Sequence, residues 1–200
     1  MAPRPVRPVP VRRPGGRTAA SSQRIADAVL GLLGEGGFHA CTFQAVAARA
    51  GVNRSTLYRR WPSEAAMVLD AIATVVDQRI AVADTGSLAG DLRAALRQLA
   101  AFLDSPVGRA SISAALHIEA DPDTLRRRQR LWAERWGVIA PLFARARARR
   151  ELAADVDPQA LLASAAGALY FRLIVAARPL DAAWIRAVVA VTVRAAGQGR

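Results

Sequence analysis

Hydrophobic residues recur at helical spacing along almost the whole chain. From about Ser22 to Glu35, Ile25, Val29, Leu32 and Leu33 fall at i, i+4, i+7 and i+8, which predicts an amphipathic helix ended by Gly36 and Gly37. Phe43, Val46, Ala47 and Ala50 repeat the pattern over a shorter span, with Thr42 placed to cap it and Gly51 where the chain must turn. Asn53 then caps another short helix. In it Leu57 and Trp61, four residues apart, face inward, while Arg54, Ser55, Tyr58 and Arg59 face outward. Val52 before that cap and Leu57 at the fourth helical position have the spacing of a hydrophobic staple, which fixes the angle at which the helix leaves the turn. Thr42 to Trp61 therefore reads as a helix-turn-helix.

Beyond Ser63 the pattern stays helical. Met67, Val68, Ala71, Ile72, Val75, Val76 and Ile80 form the stripe of a fourth helix; after a break at Asp84–Ser87, Leu92, Leu96, Leu99 and Leu103 line a fifth, and Pro106 opens a sixth. After Asp121-Pro122-Asp123 a longer helix carries Leu125, Trp132, Trp136, Ile139 and Phe143, with Gly137 and Pro141 expected to bend it. From Ala160 to Phe171 nearly every residue is apolar, and Trp184, Ile185, Val188, Val189 and Val191 repeat the habit after an Arg178-Pro179-Leu180-Asp181 turn. A helix apolar all round needs cover on more than one face. This twelve-residue stretch is too short for a bilayer, and Arg172 follows it directly, so the expected cover is a second copy of the chain rather than a membrane. A twofold four-helix interface follows, with Leu162, Leu169, Trp184, Val188 and Val191 as its candidate residues.

Charge assigns a partner to the helix-turn-helix. Residues 1–65 hold ten arginines against Asp27, Glu35 and Glu64, a net of +7, whereas the other 135 residues hold 18 against 13 acids, a net of +5. Cation density thus lies where a polyanion would dock. Arginine can bond guanine edges in bidentate fashion, hydroxyls can bond bases or phosphates, and a tyrosine hydroxyl suits a phosphate oxygen. The candidate contacts to double-stranded DNA are Arg24, Thr42, Gln44, Asn53, Arg54, Ser55, Thr56, Tyr58 and Arg59. Residues 1–20 contain five prolines and five arginines, the composition of a disordered basic arm that either follows phosphates and a minor groove or is a solvated leader. No apolar run suggests a signal peptide or a membrane span, so a cytoplasmic location is expected.

Two further arginine groups, Arg126, Arg127, Arg128 and Arg130, then Arg145, Arg147, Arg149 and Arg150, look like a second nucleic-acid patch. Their position opposite the aromatic stripe, and the second group's place at a helix C-terminus, favour a structural reading. Cys41 is the single cysteine, which excludes an intramolecular disulfide and a cysteine-rich zinc site; His39 and His117 are far apart in sequence and form no ligand pattern. There is no phosphate-cradling glycine loop and no nucleophile elbow. Enzyme activity, a cofactor and a resident metal are therefore not expected. A sequence-independent architectural nucleic-acid protein remains the alternative that the charge suggests.

The helix-turn-helix resembles that of the TetR family of one-component transcriptional regulators. Ala50-Gly51-Val52, Thr56-Leu57-Tyr58 and Trp61-Pro62-Ser63 stand in the family's order, closely over about residues 22–72, and an Asp155-Val156-Asp157-Pro158 step looks like one C-terminal subgroup. One departure is Glu64, where the family often has a lysine; a cationic phosphate contact is lost, and Glu64 suits instead the first turn of its own helix. The resemblance implies an all-α protein with an N-terminal three-helix DNA-binding domain, residues 21–65, and a helical effector-binding and dimerisation domain, residues 66–200. It implies a homodimeric, ligand-responsive repressor on a palindromic operator, its last two helices making the dimer and an unidentified small-molecule effector held in the body. Met67, Phe102, His117, Trp132, Trp136, Phe143 and Tyr170 are the side chains that could line that pocket, and Arg172 either touches a ligand or forms an ion pair.

Overall fold

A computed structural model describes residues 16–118 and 121–197. Among them the chain is all-α: α1 (Gly16–Gly36), α2 (Phe43–Ala50), α3 (Arg54–Arg60), α4 (Glu64–Arg79), α5 (Leu88–Asp104), α6 (Pro106–His117), α7 (Pro122–Ala148), α8 (Pro158–Tyr170) and α9 (Ala182–Gly197). A 3₁₀ turn, Phe38–Ala40, links α1 to α2, and a π-helical turn, Phe171–Val175, extends α8. Helix α1 starts six residues before the Ser22 expected from its apolar pattern. Most of the basic arm, residues 1–15, lies outside the described residues.

Helix starts are written in side chains. Thr42, Asn53, Ser63, Ser87, Ser105, Asp121 and Asp157 each accept a hydrogen bond from a backbone N–H in the first turn of the helix that follows. Pro106, Pro122 and Pro158 occupy the first turn, where a missing N–H has no consequence. Helix α7 runs unbroken through Gly137 and Pro141. Gly108 lets α6 close on the end of α5, since a Cβ there would sit 1.9 Å from the Phe102 carbonyl oxygen.

Two hydrophobic cores result. The head core gathers Ile25, Val29, Leu33, Phe43, Val46, Leu57 and Trp61, and takes in Ala66, Met67, Val68, Leu69 and Ala71 of α4 together with Ala114 and Ile118 at the end of α6. The body core holds Val75 and Ile80 with the inward faces of α5, α8 and α9 and the C-terminal half of α7. The packing boundary therefore falls inside α4, between Ala71 and Val75. Leu125 and Trp132 depart from the expected stripe on α7: both are exposed, while Trp136 and Ile139 are half-buried and Phe143 is buried.

Arginines of α7 fasten these parts. Arg127 pairs with Asp70 of α4 through Nε, at 2.8 Å, and Nη2, and Arg135 donates to the Ile80 carbonyl at 2.5 Å and to Asp77 at 3.1 Å. Arg128 donates to the Ala115 carbonyl and Arg147 to that of Val156, while Arg126 pairs with Asp123. Arg145 donates to the Ala83 carbonyl at 2.8 Å. Asp91, fully buried, accepts from the Thr85 N–H at 2.6 Å and hydroxyl at 2.7 Å, and Arg149 reaches its second oxygen at 3.5 Å. Most of the two arginine groups is thus occupied in holding α7 to its neighbours, as the structural reading anticipated.

Asp91→Ala would strand the Thr85 donors and the facing guanidinium in a buried site, at a loss of about 3–5 kcal/mol. Urea unfolding followed by circular dichroism should show that drop, and Asp91→Asn, which keeps an acceptor, should show a smaller one.

Candidate nucleic-acid interface

Local sequence chemistry sets the position of α3. Gly51 adopts φ +63°, ψ 41°, and around it the Val52 N–H bonds the Ala47 carbonyl at 3.1 Å and the Gly51 N–H that of Ala48 at 3.4 Å. This is the paired bonding of a Schellman turn, which closes α2 and needs a left-handed residue at that point. Asn53 Oδ1 accepts from both the backbone N–H and the hydroxyl of Ser55, each at 2.9 Å, and Val52 packs against the core beside fully buried Leu57. The anticipated staple geometry is present, and Trp61 is buried as expected.

On the outer side Arg54, Ser55, Tyr58 and Arg59 are all exposed, joined by Thr42, Gln44 and Asn53; Thr56 is half-buried. Arg24 is exposed on α1. Among the described residues Arg54 and Arg59 have no acidic partner, so their guanidinium donors face solvent. Thr42, Asn53 and Ser55 are less free than their side chains suggest. The Thr42 hydroxyl oxygen already accepts from the Ala45 N–H, and the Asn53–Ser55 bonds belong to the cap. The Tyr58 ring leans on Phe43, centroids 4.6 Å apart, which holds its hydroxyl end outward between α2 and α3. Arg60 turns away: it donates to Ser22 Oγ at 2.7 Å and lies over the Trp61 ring at 4.5 Å.

Two supports of this face are not evident from the helical pattern. Glu64 accepts the Phe43 N–H at 2.7 Å, so the residue that replaces the family's lysine also satisfies the first free donor of α2. Asp70 accepts from Trp61 Nε1 at 2.8 Å while it holds Arg127, which ties the residue after α3 to α7. Glu64 sits in a first turn, the one signal that could have marked it; Asp70 has no sequence signal, because its partners lie nine and 57 residues away. Arg49 and Glu35 form a two-bond pair, 2.6 and 2.7 Å, that clasps α2 to α1, and this bonding holds the Glu35 carboxyl below its ordinary range. Cys41 is buried, its thiol directed at the Val29 carbonyl; burial first, then the Glu64 charge, push it up to about 11, so it packs as an inert thiol.

The family models match both parts of the chain: "Bacterial regulatory proteins, tetR family" over residues 20–71 and "Tetracyclin repressor-like, C-terminal domain" over residues 82–192. The chain belongs to the TetR family of bacterial transcriptional regulators. Among its relatives, the HTH-type transcriptional regulator AqdR of Rhodococcus erythropolis is 28% identical over 77% of this chain and 74% of its own length. The HTH-type transcriptional repressor KstR of Mycolicibacterium smegmatis is 38% identical over 34% of this chain and 33% of its own. The crystal structure of the TetR family transcription regulator SCO0332 superposes with a TM-score of 0.74 at 31% identity, covering 90% of this chain and 99% of that one. The TetR family is one of transcriptional regulators, not of enzymes.

The seven residues expected around an effector do not all converge on one cavity. Met67 lies in the head core, Phe102 and Phe143 in the body core, and Trp136 stacks on Phe143 with centroids 5.8 Å apart. Trp132, His117 and Tyr170 are exposed. Of the seven only Met67 borders a cleft of about 580 Å³ between α1, α4 and α7, and none borders a second of about 920 Å³ on the other side of Arg127. Nor do all five expected dimer residues face outward: Leu169 is wholly enclosed by its own protomer and Val188 nearly so, whereas Leu162 and Trp184 are half-buried and Val191 is exposed. Helical periodicity puts a residue on a face but does not say which neighbour covers that face. Arg172 pairs with Asp181 at 2.8 Å, donates to the Pro179 carbonyl and lies over Trp184 at 4.5 Å, the ion-pair alternative for this residue. The length argument against a membrane also changes, because the π-helical turn extends α8 into an 18-residue apolar run, Pro158–Val175, long enough to cross one; Leu161, Ala165 and Leu169 within it are buried in the protomer.

Gly51→Ala would force a side chain into the left-handed region at the turn, a loss of about 1–2 kcal/mol. Thermal unfolding should reveal it, and an unchanged melting temperature would contradict the role given to this glycine.

Proposed function

We propose that this TetR-family regulator is a ligand-responsive repressor that binds a palindromic operator as a dimer. Residues 21–65 read DNA, and residues 66–200 carry the effector site and the dimer surface. The observation behind the DNA assignment is the row Arg54, Ser55, Tyr58 and Arg59, exposed on a helix whose opposite side is anchored by Leu57 and Trp61. A rigid helix with free arginine donors in its first turn suits the major groove, with Arg54 at the base edges and Tyr58 and Arg59 toward phosphates. Arg24, Thr42 and Gln44 are added as backbone contacts. The name of KstR as a repressor supports the sense of regulation.

The dimer surface is α8, its π-helical turn and α9, where Phe171, Ile174, Val175 and Val191 are exposed together with half-buried Leu162 and Trp184. Four exposed aliphatic or aromatic side chains on one pair of helices favour burial against a second copy. Ligand response would run through α4, since it is packed into both cores and a shift of its body end moves the head.

Arg54→Ala should weaken operator binding by about 1–3 kcal/mol and random DNA much less. Binding isotherms on operator and scrambled duplexes measure both. Equal losses would make Arg54 a phosphate contact, and protection of no defined site in a footprint would favour the architectural reading instead. Val191→Arg, at a position already exposed in the protomer, should convert a dimer to a folded monomer by light scattering; a wild-type chain that is monomeric at micromolar concentration would refute the dimer.

A further inference from the structure

The two histidines, 78 positions apart, meet in space. His39 stands in the 3₁₀ turn between α1 and α2, His117 is the last residue of α6, and their ring centroids are 6.1 Å apart at 78°. Both side chains are exposed, so neither is held there by burial. The His117 Nδ1 lies 2.7 Å from the Ser113 carbonyl oxygen, which can only accept, so Nδ1 carries the proton and donates. That bond fixes the tautomer and leaves the Nε2 lone pair available. A ring N–H given to a backbone carbonyl is the outer-shell arrangement found behind metal-bound histidines. Phe38 flanks His39 edge-on at 5.9 Å and limits its swing on one side.

We propose that His39 and His117 form a two-histidine site for a divalent transition metal that bridges the turn after α1 and the end of α6. Two imidazoles sharing a tetrahedral ion through bonds of about 2.0–2.1 Å have ring centres roughly 5 Å apart, within about 1 Å of the distance found. Rotation of the exposed His39 ring closes that gap. Imidazole selects nickel, copper and zinc over magnesium or calcium. Among the described residues no third histidine, cysteine or acid joins the pair, so water completes the coordination and the ion exchanges freely. The site joins two elements far apart in sequence, because His39 belongs to the turn between α1 and α2 whereas His117 ends α6, whose tip packs in the head core. Bound metal would clip the two together and raise the unfolding temperature by mass action.

The chain has only these two histidines, and its single cysteine is buried, which makes the test clean. Untagged full-length protein is titrated with nickel chloride by calorimetry at neutral pH, with magnesium chloride as the control. The expected result is one nickel ion per chain at micromolar to tens of micromolar dissociation constant, no magnesium binding, and at least a tenfold loss of nickel affinity in both His39→Ala and His117→Ala. Both substitutions fall on exposed side chains, and circular dichroism confirms that the variants fold. Absence of nickel binding to the wild-type chain would overturn the proposal. So would a single-histidine variant that binds as tightly as wild type, since the ion would then sit on one imidazole or elsewhere.

Discussion

Helix α4 is buried twice over, in different surroundings at its two ends. Ala66, Met67, Val68, Leu69 and Ala71 complete the head core, and one turn later Val75, followed by Ile80, belongs to the body core. Burying an aliphatic side chain is worth about 1.5–3 kcal/mol, so each end is held by several such contributions and neither can slide without exposing apolar surface. Much of what positions α3 relative to the body passes through this helix or beside it. Asp70, midway along it, receives the Trp61 indole from one side and the Arg127 guanidinium from the other. The bond network and the apolar packing thus fix the same junction.

Charge is used in two ways in this protein. On α7 and at its C-cap, Arg127, Arg135, Arg145 and Arg149 are consumed: they pair with Asp70, Asp77 and Asp91 or bond the carbonyls of Ile80 and Ala83. On α3 Arg54 and Arg59 are left open, and two acids of the head are engaged elsewhere, Glu35 by Arg49 and Glu64 by the Phe43 N–H. Part of the body's positive charge is therefore neutralised locally, whereas Arg54 and Arg59 have no acidic partner among the described residues. An arginine's fork suits both duties, since it bonds a carboxylate and a guanine edge with the same pair of parallel donors.

Much of the reader was legible in the sequence because its determinants are local. Thr42, Gly51, Asn53 and Leu57 act on neighbours fewer than six residues away, and pattern reasoning reaches that far. The body was legible as helices but not as a site. Whether Leu169 faced a partner or its own core, and whether Trp132 was covered, depended on helices far away in sequence, and an amphipathic stripe is silent on that. The same limit hid Asp70, whose partners come from two other elements, and the approach of His117 to His39. The π-helical turn after Tyr170 had no marker either, and it lengthened an apolar helix that looked short.

The tip of α6 has a consequence for how such proteins diversify. Ala114 and Ile118 are body residues by chain position, yet they sit in the head core against α1, and a head cut away at the end of α4 would carry an unfilled hole where they packed. Reader and body in this chain are not interchangeable parts. Recombination that joined this head to a foreign body would succeed only if the new α6 delivered side chains of matching size to the same spot, so the two halves are obliged to change together across that seam.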